Sequence, residues 1–458
     1  MESEQKELQE ENPLGFERIH VLLRKFAVPS VIAMLVSSLY NVVDQIFIGW
    51  GVGPLGNAAT NVAFPVTTIC MAIALTLGIG SAARYSLHLG RKEEGEAAKV
   101  VGSGFCMMIL FGTIYAAAVE IFLSPMLRAF GATENIFDYA VTYTKITSLG
   151  IPMLITMNGL SNLARADGSP MYSMTCMLVG AIINTVLDPV FIFVCGWGVA
   201  GAAWATVIGQ AASFIYAVLY LRKFRRVRLQ KEHFRLTLCQ IRQTCTMGMS
   251  NGLNQIAITA VQVIMNRSLV HYGTLSAYGP DIPLAGSGIV MKVNGIIFAV
   301  IIGINQGMQP IVGFNYGAKK FNRVRRTYLL AVASAVAVTL AGLVAFEFFP
   351  HYVLRIFGNG DALYFEFSVS FMRTFLCSLP LVATHLISAN FFAAIGKPVR
   401  GALLSLTRSV FFFIPAVLIL PLFFGIKGIM MAAPVTDSVS FLIVTACIIP
   451  ELRNMGKE

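Results

Sequence analysis

Twelve apolar runs, each long enough to cross a bilayer, constrain what this chain can fold into. They lie at about 26–49, 57–82, 97–123, 136–160, 169–195 and 198–221, then at about 243–270, 283–314, 327–349, 361–393, 399–421 and 426–449. A spanning helix needs about 20 residues. Hydrocarbon offers no water to satisfy a bare backbone, so runs of this kind are predicted as helices. The composition agrees: 56% hydrophobic and 12% charged, with a mean hydropathy of +0.72, whereas soluble domains carry roughly 25% charged residues. A soluble enzyme, a nucleic-acid-binding domain and a disordered scaffold are excluded. The expected class is an all-α integral membrane protein with twelve transmembrane helices, in contact with lipid and not with nucleic acid.

The net charge of +11 is distributed unevenly. With the N-terminus inside, the inner tails and loops hold 26 Lys and Arg, and the outer segments hold four: Arg128, Arg267, Arg355 and Lys427. Loops on the cytoplasmic side collect positive charge, so both termini are expected there. The chain opens with acidic residues (Glu2, Glu4, Glu7, Glu10, Glu11) and lacks the basic start and short apolar core of a secretory signal. Six of the eight cysteines lie in or beside apolar runs, where Cys behaves as a small hydrophobe. No CxxC spacing marks a metal site, and no cofactor is expected.

The two sets of six runs repeat each other. Leu127-Arg-Ala-Phe-Gly131 returns as Leu354-Arg-Ile-Phe-Gly358, Gly168-Ser-Pro170 as Gly396-Lys-Pro398, and Trp197-Gly-Val-Ala-Gly201 as Phe424-Gly-Ile-Lys-Gly428; Gly80 and Gly90 answer to Gly307 and Gly317. An even number of spans per repeat inserts both halves in the same sense. The expected relation is a two-fold axis along the membrane normal, an arrangement recurrent among transporters. The predicted organisation is a cytoplasmic segment 1–25, an N-lobe 26–221, a basic linker 222–242, a C-lobe 243–449 and a cytoplasmic tail 450–458.

Charges inside spans are expensive and mark function or pairing. Asp44 lies in the first run and Asp188 in the fifth, with Asn41 three residues and Asn184 four residues before them. Each such pair shares a helix face. Counted from the run ends, Asp44, Asp188 and Thr206 of the sixth run all lie roughly 8–12 Å below the outer edge. Carboxylates, amide and hydroxyl at one level suit a hard cation such as Na⁺, or a proton shared between carboxylates. The repeat aligns Asp44 with Asn266, Asp188 with Pro415 and Thr206 with Ala433, so a site of this kind belongs to the N-lobe. Separate satisfaction of each carboxylate is the alternative. Pro29 removes a backbone hydrogen bond from the first helix and can kink it. In the C-lobe, Arg408 and Asp437 lie near mid-membrane, where they can pair structurally or contact substrate or gate. His385 reads as a buried histidine with its hydrogen bonds satisfied.

These residues resemble the multidrug and toxic compound extrusion (MATE) family. The resemblance runs from about Phe16 to Ile449. It is carried by Pro29 with Asn41-Val-Val-Asp44-Gln-Ile-Phe-Ile-Gly49, by Gly78-Ile-Gly80 through Gly90-Arg-Lys, by Ala164-Arg-Ala-Asp-Gly168-Ser-Pro170, by Asn184-Thr-Val-Leu-Asp188-Pro, and by Gly198-Val-Ala-Gly201-Ala-Ala-Trp-Ala-Thr206. It implies a V-shaped pair of pseudo-symmetric six-helix bundles acting as a cation-coupled antiporter of amphipathic, often cationic drugs and dyes. It also implies a cation or proton site at Asp44, Asn184, Asp188 and Thr206, and bending at Pro29. Some members carry C-lobe carboxylates in helices 7 and 10. Here those interiors hold Asn251, Asn254, Gln255 and Thr384, with Glu366 near an outer end, so coupling through the N-lobe is expected.

The expectation is therefore an inner-membrane exporter, functional as a monomer, that exchanges small-molecule drugs or dyes for H⁺ or Na⁺. Tyr40 joins Arg408 and Asp437 as a candidate substrate or gate contact. A flippase for lipid-linked precursors is the rival reading and would use Lys292, Arg373 and Arg408. A membrane enzyme would need a constellation such as HExxH or GxSxG, which the sequence lacks.

Overall fold

The computed structural model describes residues 12–456 apart from 131, 133, 280 and 356–361. The acidic residues at 2–11 and the glycines closing one repeated motif, Gly131 and Gly358, lie outside the described residues. The chain forms twelve long helical units: α1 (Ile19–Gly51), α2 (Pro54–Gly90), α3 (Glu94–Ile121), α4 (Glu134–Ser148 and Ile151–Ala166), α5 (Pro170–Pro189, continued by a π turn at Val190–Val194) and α6 (Gly198–Leu219). The second six are α7 (Leu238–Thr274), α8 (Asp281–Gly317), α9 (Phe321–Phe348), α10 (Ala362–Leu376 and Leu379–Ala394), α11 (Pro398–Leu406, a π turn at Thr407–Phe413, then Ile414–Phe424) and α12 (Ile426–Asn454). No strand occurs among the described residues.

Among the described residues nine of these helices are long and apolar enough to cross a membrane alone, and the two arms of α10, bent by 45°, are long and apolar enough together. α4 is likewise broken, and α7 is long but punctuated by Asn251, Asn254 and Gln255. Both broken helices resume at a proline, Pro152 in α4 and Pro380 in α10. A proline lacks the N–H that a helix interior needs but fits the first turn. Helix ends depart from the predicted runs. α1 starts at Ile19 and not at 26, α7 at Leu238 and not at 243, and α12 continues to Asn454. Hydropathy marks the part of a helix in hydrocarbon, and these helices continue as helix beyond it.

The duplication is visible in the backbone. Lys92 and Lys319, the two non-glycine residues with left-handed φ among the described residues, occupy equivalent turns after α2 and α8. Gly168 (φ 91°) and Gly396 (φ 82°) close α4 and α10 in the same way, a conformation that disfavours any side chain. The two bundles meet through α1 on α8 and α2 on α7, with glycine at each close approach. A Cβ on Gly248 would lie 1.7 Å from the Thr76 carbonyl oxygen, and one on Gly80 would lie 2.2 Å from the Thr244 carbonyl oxygen. Across the axis, Cβ atoms on Gly303 and Gly307 would lie 2.5 Å from Val31 Cα and 2.6 Å from Ala27 N. Gly90 and Gly317 face each other, a Cβ on Gly90 falling 2.9 Å from Gly317 Cα. At Gly288 and Gly295, further from the α2–α3 turn, a Cβ would meet nothing within 4 Å. The lobes are thus joined along the half that carries the basic loops.

Polar contacts reinforce this basic face. Arg84 of α2 donates to Thr244 Oγ1 at 2.8 Å and Gln243 Oε1 at 2.6 Å on α7. The segment before α1 lies on the other lobe: Arg323 donates to the carbonyls of Leu14 at 3.1 Å and Glu17 at 2.6 Å, and Lys320 to that of Gly15 at 3.1 Å. Buried Asp167 accepts from Tyr85 Oη, Tyr220 Oη and the Arg225 N–H at 2.5, 2.8 and 2.8 Å. This ties the start of the linker to the N-lobe. Burial raises the Asp167 carboxyl above the usual carboxylate range despite these donors. The opposite face carries exposed Trp50, Trp197, Phe348, Phe349 and Phe423, the aromatic composition of a bilayer interface.

Candidate cation site

The N-lobe interior assembles its polar groups from three helices. Asp44 comes from α1, Asn184 and Asp188 from α5, and Thr206 from α6. Asp188 is fully buried, Asn184 is 3% exposed and Asp44 8%. With the amide oriented to satisfy both ends, Asn184 Nδ2 donates to Asp188 Oδ2 at 3.2 Å, and Asn184 Oδ1 accepts from Thr206 Oγ1 at 3.3 Å and the Thr206 N–H at 3.2 Å. The carboxyls of Asp44 and Asp188 adjoin, within hydrogen-bond reach of each other. Asp44 Oδ1 has no partner. A buried carboxylate oxygen left open beside a second carboxyl is an arrangement a cation or shared proton completes.

Local sequence explains why α5 can present this set. Pro189 follows Asp188 and cannot donate to a carbonyl one turn back. The helix relaxes into the π turn Val190–Val194 immediately afterwards; π turns within helices cluster at functional sites. The first turns of α6 are small, with Gly201, Ala202, Ala203 and Ala205 buried, so α6 lies close against α5. A Cβ on Gly201 would fall 2.9 Å from the Phe191 carbonyl oxygen.

The four residues of the predicted site are therefore brought together. Tyr40, expected as a substrate or gate contact, lies one turn before Asp44, with its phenol within the electrostatic reach of both carboxyls. Tyr143 of α4 lies beside Thr206, within the electrostatic reach of the same carboxyls. Sequence reasoning missed it, because a tyrosine within an apolar run carries no signal of its own. Asn41 does not join the set: its side chain is exposed and donates to the Ser37 carbonyl at 2.6 Å, one turn back on its own helix. Pro29 lies within an unbroken α1, between Ala27 and Val31, the two residues that meet Gly307 and Gly303 of α8.

The C-lobe is built differently. Arg408, in the π turn of α11, donates to Asp437 Oδ1 at 2.7 Å, and Ser378 donates to Asp437 Oδ2 at 2.5 Å. Asp437 is 2% exposed. His385 is equally buried but departs from the expectation of a satisfied histidine, since neither ring nitrogen has a hydrogen-bond partner among the described residues. Arg373 donates to the Glu347 carbonyl at 2.9 Å and lies 3.8 Å from its carboxylate, while Lys292 is exposed. A cavity of about 740 Å³ opens beside Glu366, Ser370, Arg373 and Thr374 of α10. No cluster of three or more His, Cys, Asp or Glu able to hold a metal occurs among the described residues.

The MatE family model matches residues 29–190 and 252–418, one stretch in each bundle. The chain is 24% identical over 430 residues to the multidrug export protein MepA of Staphylococcus haemolyticus (strain JCSC1435), covering 94% of this chain and 93% of that protein. It is 24% identical over 447 residues to MepA of Staphylococcus aureus (strain N315), covering 96% and 95%. Its fold matches a solved outward-facing conformation of a multidrug resistance MATE family transporter of the MOP superfamily, with a TM-score of 0.90 at 20% identity over 97% of this chain and all of that one. Two six-helix bundles related by duplication, joined along one half and matched by the family model in both, make this chain a member of the MatE family.

Proposed function

We propose that the chain is a secondary multidrug exporter that exchanges small amphipathic, often cationic compounds for an inward-moving H⁺ or Na⁺ by alternating access. One observation carries the reading: Asp44, Asn184, Asp188 and Thr206 converge from α1, α5 and α6 in the N-lobe, while the equivalent C-lobe positions are Asn266, Pro415 and Ala433. The names of the relatives, both multidrug export proteins, support the substrate class. The basic loops support a cell-membrane location with both termini cytoplasmic, and each chain works as a monomer.

In the cycle, a cation from outside occupies the space between Asp44 and Asp188. Two adjoining buried carboxylates repel, and a shared proton or Na⁺ removes that repulsion. Asn184 turns its N–H edge to Asp188, an arrangement suited to a shared proton; Na⁺ would draw Asn184 Oδ1 inward instead. Asp44 rides on α1, and Pro29 lies fifteen residues earlier, about 22 Å along the helix. There α1 is pinned between glycines of α8. Bending at Pro29 therefore acts on the contact that closes the basic face. Ion and substrate drive exchange because each binds the two conformations with different affinity. Tyr40 lines the route to the carboxyls. Arg408 and Asp437 hold the C-lobe together as a pair.

The flippase reading would need free cations in the cleft. Of the three cations it would use, Arg408 is paired with Asp437 and Arg373 is held by Glu347, which leaves Lys292 alone without an ion pair among the described residues, so it is not adopted. The test is dye transport in proteoliposomes under an Na⁺ gradient at fixed pH, then a pH gradient without Na⁺, with Asp44→Asn and Asp188→Asn alongside. Transport driven by one gradient and lost in both variants is the expected result. Transport indifferent to both gradients and both variants would overturn the reading.

A further inference from the structure

Arg165, near the end of α4, is a buried cation that the exchange mechanism does not use. Its side chain is 3% exposed. Nη1 donates to Asn162 Oδ1 at 3.1 Å and Nη2 to Ser173 Oγ at 3.0 Å, both neutral acceptors. Nε–H has no partner, and Arg165 forms no ion pair among the described residues. The nearby Asp167 spends both oxygens on Tyr85, Tyr220 and the Arg225 N–H. The carbonyl end of α4 offsets part of the guanidinium charge, but it leaves Nε–H unaddressed. A charge buried this deeply is normally paired.

Beside Arg165 lies a small, partly open cavity of about 10 Å³, at the lower limit for one small bound species. Ser86 of α2, Asn162 and Arg165 of α4, and Gln306 and Gln309 of α8 supply its polar lining. The first two helices belong to one lobe and the third to the other. Gln306 is 8% exposed and its Oε1 is unpartnered; its Nε2 has a weak contact, 3.8 Å, to Met34 Sδ. An amide whose oxygen is unpartnered and whose nitrogen is held only this weakly can turn either edge inward. The wall from α8 runs directly into Gly307, where α8 meets the α1 backbone. The cavity is complete when the lobes are closed at the basic face, and separating them there dismantles it.

We propose that this cavity is a binding site for one small monovalent anion, chloride in size and charge, held by Arg165 with hydroxyl and amide donors from both lobes. The anion supplies the missing counter-charge and binds the state closed at the basic face in preference to the open one, so it stabilises that closure. A bridging water would satisfy Nε–H and the Gln306 oxygen but would leave the guanidinium charge uncompensated.

The test uses the full chain in detergent at constant ionic strength. Thermal unfolding is compared in sodium chloride, sodium bromide and sodium gluconate, and crystals grown in bromide are measured at the bromine absorption edge. Saturable stabilisation by chloride and bromide over gluconate, with an anomalous peak beside Arg165 Nε, is the expected result. Gln306→Glu places a carboxylate in the cavity as a built-in counter-ion. This variant should fold at least as stably as the parent in gluconate and lose its response to halide. Equal unfolding temperatures in chloride and gluconate, a water without anomalous signal in the cavity, or a halide response unchanged in Gln306→Glu would each overturn the proposal. None of these readouts depends on transport, so the site and the exchange mechanism fail or stand separately.

Discussion

The two lobes share one backbone plan and differ in what they bury. In the N-lobe, Asp44 and Asp188 adjoin without a basic partner, and one carboxylate oxygen is left open. In the C-lobe, Asp437 is closed off by Arg408 and Ser378. Packing diverges in the same direction. The buried residues of α4 include Ala140, Thr144 and Ser148, the last donating to Glu120 of α3. Their counterparts on α10 are the buried Phe367, Phe371 and Phe375, with Phe371 and Phe375 stacked at 4.9 Å. A scaffold duplicated once carries stacked aromatic side chains at these positions in one copy and small or polar ones in the other, and its intramembrane carboxylates are paired in the first and open in the second. Unsatisfied buried polar groups are costly, so they persist where a ligand or a switch completes them.

The contrast is broken most severely by removing charge from each lobe in turn. Asp188→Asn and Asp44→Asn should reduce ion-driven dye transport to the leak level. That is a loss of at least about tenfold, equivalent to about 1.4 kcal/mol of coupling, while the unfolding temperature is kept or raised because a buried repulsion is gone. Asp437→Ala should behave in the opposite way. It leaves Arg408 without its counter-charge, which costs about 3–5 kcal/mol of stability, yet the folded fraction should still couple. Replacing both partners (Arg408→Met with Asp437→Leu) should recover most of that stability. Loss of coupling in the stable double variant would show that the C-lobe pair takes part in transport, and the two-lobe contrast would fall.

How much of this was legible beforehand follows from what each signal measures. The twelve spans and the repeat were readable because apolar length and glycine spacing are local properties of the chain. Asp44, Asn184, Asp188 and Thr206 stood out as polar groups in apolar surroundings, and a common depth could be counted from the run ends. Tyr143 was not legible: its amphipathic side chain is ordinary in a membrane helix, and only the fold carries α4 to the carboxyls. Asn41 shows the limit of face arguments. Residues three apart are about 60° apart around the axis, enough to turn Asp44 inward and leave Asn41 exposed. The counter-charge missing at Arg165 is likewise a fact of packing, since Asp167 lies two residues away in sequence and is engaged elsewhere.

A smaller effect tests the symmetry of the hinge surfaces. Gly248→Ala on α7 and Gly303→Ala on α8 each drive a methyl group into backbone of the opposite lobe, the Thr76 carbonyl oxygen at 1.7 Å and Val31 Cα at 2.5 Å. Each should destabilise the closed contact by about 1–3 kcal/mol. Both should raise the labelling rate of a cysteine placed at Ala83 by a membrane-permeant thiol reagent. Comparable increases would mean that the two contacts act as equivalent halves of one closure. An increase confined to Gly303→Ala would mean that the α1–α8 contact, the one bracketing Pro29, governs opening alone.

The smallest expected difference lies within the N-lobe, between its two asparagines. Asn184 connects Asp188 to Thr206 through buried hydrogen bonds. Asn184→Ala strands a carboxylate oxygen and a hydroxyl, a penalty of about 1–3 kcal/mol, and should shift the ion concentration at half-maximal transport. Asn41 donates to its own helix at an exposed position, so Asn41→Ala should change stability by less than about 0.5 kcal/mol and leave the ion dependence in place. The pair separates two accounts of α1. If Asn41→Ala shifts the ion dependence as Asn184→Ala does, then α1 rotates during the cycle to bring Asn41 inward, and the arrangement described above is one of two that the site adopts. If it does not, the coupling chemistry is confined to Asp44, Asn184, Asp188 and Thr206 with the two tyrosines beside them, and α1 transmits the signal by bending about Pro29 without turning on its axis.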